Sequence, residues 1–309
     1  SIEAAYIGLA RYAALNLPDF AWFPLWYNGI PYQNTYPPLL HWLVALWSRV
    51  ASISPALAFH QVVALFFCLC PVAAFWLTRR LSGSNLCAFA AGLATALLSP
   101  SDWLIANVAR DVGGYWNPRR FMTLVIYGEG THQAGMTFMM FALWAIDWAA
   151  ERRNAWSLLV AAALCGAAVL CNWIAALCLV LFVIAWALAT PARMWWRGAV
   201  ACIAGAFLIA PWIVPSTIKV IQLNAQTIGG DFTDIYRNVI PKVVWLVGAG
   251  LLAWMGAKFD WPRHARFALI ASWLTGGIAL GAEWFNIALF PQPHRYHVEM
   301  ELAMAVGFG

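Results

Sequence analysis

The sequence predicts an all-α fold, a polytopic transmembrane helical bundle with amphipathic surface helices ahead of it. Three observations predict it. Hydrophobic residues make up 63% of the chain and charged residues only 10%; the mean hydropathy is +0.71; and long apolar runs alternate with short basic links. That composition describes a chain whose solvent is lipid, not a soluble domain with a large core. It also removes several function classes. The net charge of +5 is spread too evenly for a nucleic-acid surface. The seven cysteines (Cys68, Cys70, Cys87, Cys165, Cys171, Cys178, Cys202) sit in apolar runs without metal-ligand spacing, as buried or lipid-facing thiols do. No P-loop, dinucleotide-binding fingerprint, G-x-S-x-G elbow or zinc motif occurs.

Read in order, the chain opens with "IEAAYIGLARYAALNL", where Ile2, Tyr6, Leu9 and Ala13 recur at helical spacing with Glu3 and Arg11 elsewhere. This pattern predicts a helix lying in the membrane interface. The connector "PDFAWFPLWYNGIPYQNTYPPLL" carries the aromatic and turn residues of a fixed interfacial loop. Leu39 to Ser52 is apolar and helical in period, but counting it as a crossing would break the alternation that follows, so it is laid along the outer surface. Apolar segments come next at Ala56–Leu77, Ala88–Leu98, Ala134–Ala149, Ser157–Leu170, Trp173–Ala189, Gly198–Val214, Val243–Ala257 and Phe267–Ala282, with a last one starting near Met300. Several are shorter than the roughly 20 residues of a full span, so their ends are soft.

Orientation follows from the links "TRRLSGSN", "AERRN", "TPARMWWRG" and "AKFDWPRHAR", each with two or three Lys or Arg. The positive-inside rule makes them cytoplasmic and the longer, mixed-charge loops external. Every connection between two basic turns then contains an even number of crossings. Asp147, Glu151 and Asp260 fall on the cytoplasmic side, leaving ten of the thirteen acids on the outer face. The expected organisation is a first extracytoplasmic loop over residues 1–53 and a bundle of eight or nine spans over 54–309, multi-pass in the cytoplasmic (inner) membrane. Because the chain starts at Ser1 instead of Met and ends at Gly309 as an apolar segment begins, it reads as a fragment lacking the first transmembrane helix and the C-terminal part.

Four patches on that outer face carry polar chemistry. They are Glu3 with the aromatic connector, "RDVGGYWNPRRF", "YGEGTHQ" and "PHRYHVEME". In "YGEGTHQ", glycines flank Glu129, and His132 stands at the mouth of an apolar helix; the pair suits a base, metal ligands or sugar contacts, with a helix cap as the plain alternative. In "PHRYHVEME", a continuous helix would make Arg295 and Glu299 i,i+4 partners, with His294, His297 and Glu301 on an adjoining arc. Such charge at a membrane-helix end is expected to face the bundle interior or a wet cavity, or else to neutralise itself in pairs. Arg119 and Arg120 are suited to a phosphate, and equally to lipid headgroups. Glu3 is an acid in a helix's first turn, which the macrodipole alone favours.

The outer acid, the amphipathic helix, "W-x-P-L-W-Y-N-G-I-P-Y-Q-N-T-Y-P-P-L-L", the surface helix and a descending span ending "LTRRLSG" together resemble the first outer loop of the GT-C superfamily of polytopic glycosyltransferases. Within it, the "W-Y-N-G-x-P", "G-E-G-x-H" and "P-x-P-H-R-Y-H-x-E-M-E" patterns resemble the bacterial membrane proteins labelled 6-pyruvoyl-tetrahydropterin-synthase-related. The resemblance implies transfer of a sugar from a polyprenyl-phosphate donor to a glycan, lipid or protein acceptor at the extracytoplasmic face. It implies a catalytic carboxylate at Glu3 or just upstream of Ser1. Arg119, Arg120 and Arg295 become phosphate candidates, and Glu129, His132, His294, His297 and Glu299 candidates for holding the sugar or a divalent metal such as Mg or Mn. The rival classes are a polytopic transporter and a non-catalytic scaffold of cell-envelope polysaccharide assembly. Clustering of ionisable residues at one face, with spans almost free of charge, speaks against transport through the bilayer midplane.

Overall fold

The computed structural model describes residues 2–19, 21–112, 114–152, 154–227 and 239–309. Ser1, Phe20 of the connector, Gly113 of the arginine patch, Arg153 of a basic link, and the outer acids Asp231 and Asp234 lie outside the described residues.

The chain begins with α1 (Glu3–Asn16), a two-stranded antiparallel hairpin of β1 (Trp22–Phe23) and β2 (Ile30–Pro31), and α2 (Leu39–Val50). The face that α1 buries is Tyr6, Leu9, Ala10, Ala13 and Ala14, while Ile2 precedes the first turn and stays exposed, outside the apolar stripe expected for it. The hairpin turns at Tyr27 and Asn28, both at positive φ, and at Gly29, which lies against the Trp22 indole where a Cβ would not fit. Cross-links fix this loop: Tyr12 Oη donates to Trp22 O (2.5 Å) and Tyr32 Oη to Leu9 O (3.2 Å). At 12 residues α2 is too short to cross a bilayer, and it packs on α1 and on the next helix.

The bundle follows as α3 (Pro55–Ser82), α4 (Asn85–Leu97), the short α5 (Ser101–Leu104), α6 (Ala106–Val112) and α7 (Arg119–Val125), then α8 (Gly130–Arg152), α9 (Ala155–Val169), α10 (Trp173–Ala189), α11 (Trp195–Ile209), α12 (Pro215–Thr227), α13 (Val239–Lys258), α14 (Arg263–Phe285) and α15 (His297–Gly307). Punctuation in the sequence accounts for the boundaries. Ser54 caps α3 ahead of Pro55, and Gly83 ends it in the left-handed region; Asn154 and Asn172 accept backbone N–H groups at the starts of α9 and α10. Helix α11 stops at Ile209, short of the expected Val214, because Pro211 lacks the N–H that a continuing helix requires.

Among the described residues, four stretches are long and apolar enough to cross a membrane: Pro55–Ser82, Ala192–Ile209, Val239–Lys258 and Arg263–Phe285. Helices α4, α9 and α10 are apolar but shorter. The 23-residue α8 is long enough, yet it carries Thr131, His132, Gln133 and Asp147 and buries nearly all its side chains. It forms the centre of the bundle, packed on α3, α9, α10 and α11, with α14 and α15 closing the far side against α10 and α4.

One ionic knot ties the hairpin ends. Asp147 of α8, fully buried, accepts from Trp186 Nε1 of α10 (2.8 Å), pairs with Arg80 Nε of α3 (2.7 Å) and binds the Arg263 guanidinium of α14. Arg80 also reaches Glu151 (2.6 Å), and Arg197 of α11 donates to Ala149 O (3.2 Å). The basic links thus meet at one end of the bundle, and the four polar patches of the sequence are left for the other.

Candidate functional site

At that other end, the first turn of α1 meets the loop that leads into α8. Gly128 adopts φ 73°, and a Cβ there would lie 2.8 Å from Glu3 Cβ and 2.9 Å from Glu3 N. Only glycine tolerates both the backbone angle and the contact. The turn therefore packs the start of the helix bearing Glu3 against the loop bearing Glu129, joining segments more than a hundred residues apart. Glu3 Oε1 forms a short hydrogen bond with His60 Nε2 on α3. Glu129 Oε1 pairs with Arg295 (2.7 Å), and its Oε2 is buried without a hydrogen-bond partner.

The Arg295 pairing corrects the sequence expectation. Pro293 to Tyr296 forms a 3-10 turn and α15 starts at His297, so Arg295 and Glu299 do not share an α-helical face. Each finds a partner across the bundle instead: Arg295 takes Glu129, and Glu299 takes His132 Nε2 at 2.7 Å. The helix-cap alternative for Glu129 also falls away, since its carboxylate turns to Arg295. His132 and Glu299 are both buried, and Glu299 keeps one buried oxygen without a partner. His294, His297 and Glu301 likewise part company. His294 is exposed, with Nδ1 3.7 Å from Glu283. Glu301 turns inward and accepts from Ser99 Oγ (2.7 Å), Ser101 Oγ and Ser101 N (3.3 Å).

Arg119, at the start of α7, joins a second network. It donates to Asp111 Oδ2 (2.8 Å) and through Nε to His297 Nε2 (3.2 Å), and it lies over the Tyr127 ring. His297 Nδ1 sits 2.5 Å from His294 O, so Nδ1 carries the proton and Nε2 is free to accept from Arg119. Tyr127 Oη donates to Asp111 (2.5 Å). The Tyr127 hydroxyl and the Arg119 guanidinium hold the Asp111 carboxyl below its ordinary range, and the same carboxylate pushes the Tyr127 phenol up. Arg120 differs from its neighbour. It is 2% exposed, donates to Thr95 O (3.0 Å) and Gln133 Oε1 (3.3 Å), and covers the Phe67 ring. Those contacts make it a strut between α4, α7 and α8 and leave no face for a phosphate.

The structure thus gathers Glu3, Glu129, His132, Arg119, Arg295, His297 and Glu299 at one end of the bundle. It adds His60, Asp111 and Glu283, which sequence reasoning passed over. His60 carried a signal, being an ionisable residue inside an apolar run. Asp111 lay inside a patch read for its arginines. Among the described residues, no three His, Cys, Asp or Glu side chains gather as a metal site, and most carboxylates here already hold an arginine or a histidine. The fit to Mg or Mn is poor, and no step below runs through a metal.

The fold is similar to that of the Archaeoglobus fulgidus oligosaccharyltransferase, whose crystal structure was solved in the apo form: the TM-score is 0.53 and the identity 14%, over 98% of this chain and 46% of that one. This chain therefore spans about half the length of that protein. Neither a protein-family model nor a curated protein matches the sequence. At that identity the likeness concerns the fold alone, an all-α polytopic bundle. The narrower resemblance to proteins labelled 6-pyruvoyl-tetrahydropterin-synthase-related gains no support from these comparisons.

Proposed function

We propose that the chain is part of a membrane glycosyltransferase that moves a sugar from a polyprenyl-phosphate donor to a glycan, lipid or protein acceptor at the extracytoplasmic face of the cytoplasmic membrane. Residues 1–53 are then the first extracytoplasmic loop and 54–309 the bundle. The observation that carries the reading is the Gly128 turn, which packs the helix start bearing Glu3 against the loop bearing Glu129 at one end of a GT-C-like bundle.

In this reading Glu3, oriented by His60, takes the proton from the acceptor hydroxyl as that oxygen attacks the anomeric carbon. The bond from the anomeric carbon to the phosphate oxygen breaks, and the polyprenyl phosphate leaves with the electron pair. Arg295 and Arg119 stand where the growing phosphate charge is stabilised by charge-assisted hydrogen bonds. His132, Glu299, His297 and His294 form the polar wall behind them. The oligosaccharyltransferase likeness supports the general class through the fold, and the polyprenyl-phosphate donor is this proposal's own step.

The test uses membranes containing the full-length protein and radiolabelled polyprenyl-phosphate hexoses and pentoses, with and without added Mg or Mn. Label passing into an acceptor fraction is the expected result. Absence of transfer from every donor, with the protein inserted, overturns the reading.

A further inference from the structure

Beside Glu129 lies a set of polar groups that the mechanism above does not use. Tyr6 of α1, His41 of α2, Tyr36 of the connector and Thr131 of α8 converge from four segments of the chain. The Tyr6 and Tyr36 ring centres are 5.0 Å apart, and both rings pack on His41, at 5.6 and 6.2 Å. The Tyr6, Tyr36 and Thr131 hydroxyls face one another, with the Glu129 charge close to both tyrosines.

Burial makes this arrangement unusual. Tyr6 is 2% exposed and His41 and Thr131 are fully buried, yet Tyr6 Oη, both His41 ring nitrogens, Thr131 Oγ1 and Glu129 Oε2 lack a well-aligned partner: the hydroxyls meet only one another, His41 only the Tyr6 backbone, and Glu129 Oε2 nothing. A buried polar group left without a partner costs about 1–3 kcal/mol, and native proteins leave few of them. Poorly aligned groups gathered around the unpartnered Glu129 Oε2 retain hydrogen-bonding capacity for an occupant. Glu129 and Arg295, both partly exposed, form the edge through which one would enter.

The chemistry of the cluster selects among occupants. A phosphate would meet the negative charge of Glu129, which lies close to both tyrosines, and would be repelled by it. A divalent metal needs more than one carboxylate and one imidazole. Burial keeps the His41 imidazole neutral, pushed down to about 3, so it offers one donor and one acceptor. Two phenols, a threonine hydroxyl, a neutral imidazole and a carboxylate oxygen present alternating donors and acceptors beside aromatic faces. That inventory matches the hydroxyls and C–H faces of a sugar ring.

We infer that Tyr6, Tyr36, His41, Thr131 and Glu129 Oε2 form a site that binds a sugar ring through its hydroxyls. The inference rests on the proposed glycosyltransferase reading for its biological setting and deepens it by naming which groups hold the sugar, apart from the base and the phosphate-facing arginines.

The test is a binding titration on the purified full-length protein in detergent, followed by its own tryptophan fluorescence. Three probes are used: dodecyl phosphate, the same lipid phosphate carrying a hexose or pentose, and the matching dodecyl glycoside. Wild type is expected to bind a sugar-bearing probe more tightly than its sugar-free counterpart. Tyr6→Phe and Thr131→Val, each removing one hydroxyl with little change in shape, should each weaken that sugar-dependent part roughly two- to tenfold and leave dodecyl phosphate unchanged. Loss confined to the phosphate-linked sugar identifies the donor ring; loss confined to the glycoside identifies the acceptor ring. Unchanged sugar affinity in both variants overturns the inference and leaves the cluster filled by water alone. Failure of the glycosyltransferase reading looks different, as sugar binding that depends on Tyr6 with no transfer from any donor.

Discussion

Two ionic clusters sit at opposite ends of this bundle, and they are finished to different degrees. At the basic end, both oxygens of the Asp147 carboxylate are taken, by Trp186, Arg80 and Arg263, and four helices, α3, α8, α10 and α14, are tied through that one residue. At the loop end, Glu129 and Glu299 each keep a buried oxygen without a partner, and Glu3 meets only His60 among the described residues. A saturated buried carboxylate serves packing. Carboxylates held by one oxygen, grouped with poorly aligned hydroxyls, keep hydrogen-bonding capacity for something that arrives later.

The difference is open to direct attack, and the largest effect on stability is expected at the basic end. Asp147→Ala removes the fully buried centre of the knot and leaves Arg263 and Trp186 Nε1 without it. Both arginines are partly exposed and Arg80 keeps Glu151, so the loss falls toward the lower end of the roughly 3–5 kcal/mol of a buried pair. Thermal unfolding in detergent should show a clearly lowered Tm. A variant as stable as wild type would mean that the knot is ornamental.

Next in size is Gly128→Ala. It forces a Cβ into a left-handed backbone and against Glu3, and non-glycine residues in that region cost on the order of 1–2 kcal/mol. Transfer should fall further than stability does, because the substitution pushes the start of the helix bearing Glu3 away from the loop bearing Glu129. Equal small losses in both would show that their proximity is incidental.

Glu129→Gln should invert the Asp147 pattern. The Glu129–Arg295 pair is partly exposed and contributes at most about 1 kcal/mol, so the Tm should barely move while transfer falls. A large drop in Tm would put Glu129 in the same class as Asp147.

The smallest effect concerns pH. Tyr127 and Arg119 lower the Asp111 pKa in the folded state, so in the acid range the unfolded chain binds the proton more readily. The contribution to stability is fully present above the ordinary carboxylate pKa and is lost as pH falls through the lowered folded value. Asp111→Asn should flatten that part of the stability profile and leave the neutral range nearly unchanged. An unaltered acid limb would show that the network around Arg119 contributes nothing to it.

Much of the fold was legible because lipid makes the pattern simple. Apolar runs and basic links in the sequence anticipate helices α3, α4, α8 to α11, α13, α14 and α15, and the alternation of the basic links leaves Leu39 to Ser52 as a helix that does not cross. Helix ends were less legible where proline decided them, as at Pro211. The site was legible as patches and not as pairs. Arg295 and Glu299 looked like partners because helical spacing is a local rule, whereas the 3-10 turn before His297 hands both to residues about 167 positions away. Arg119 and Arg120 are identical in composition terms, and only the packing of Thr95, Phe67 and Gln133 separates the strut from the arginine that pairs with Asp111 and His297. The tyrosine and histidine cluster beside Glu129 was invisible to motif reading, since none of its members is unusual in its own segment.

The central claim is that Glu3 acts as the base of a sugar transfer at the loop end. The most direct measurement is the rate of transfer from a radiolabelled polyprenyl-phosphate sugar in membranes holding equal inserted amounts of wild type and Glu3→Gln. A loss of about 10²–10⁴-fold with Tm unchanged is expected. A Glu3→Gln protein that transfers at the wild-type rate would contradict that claim.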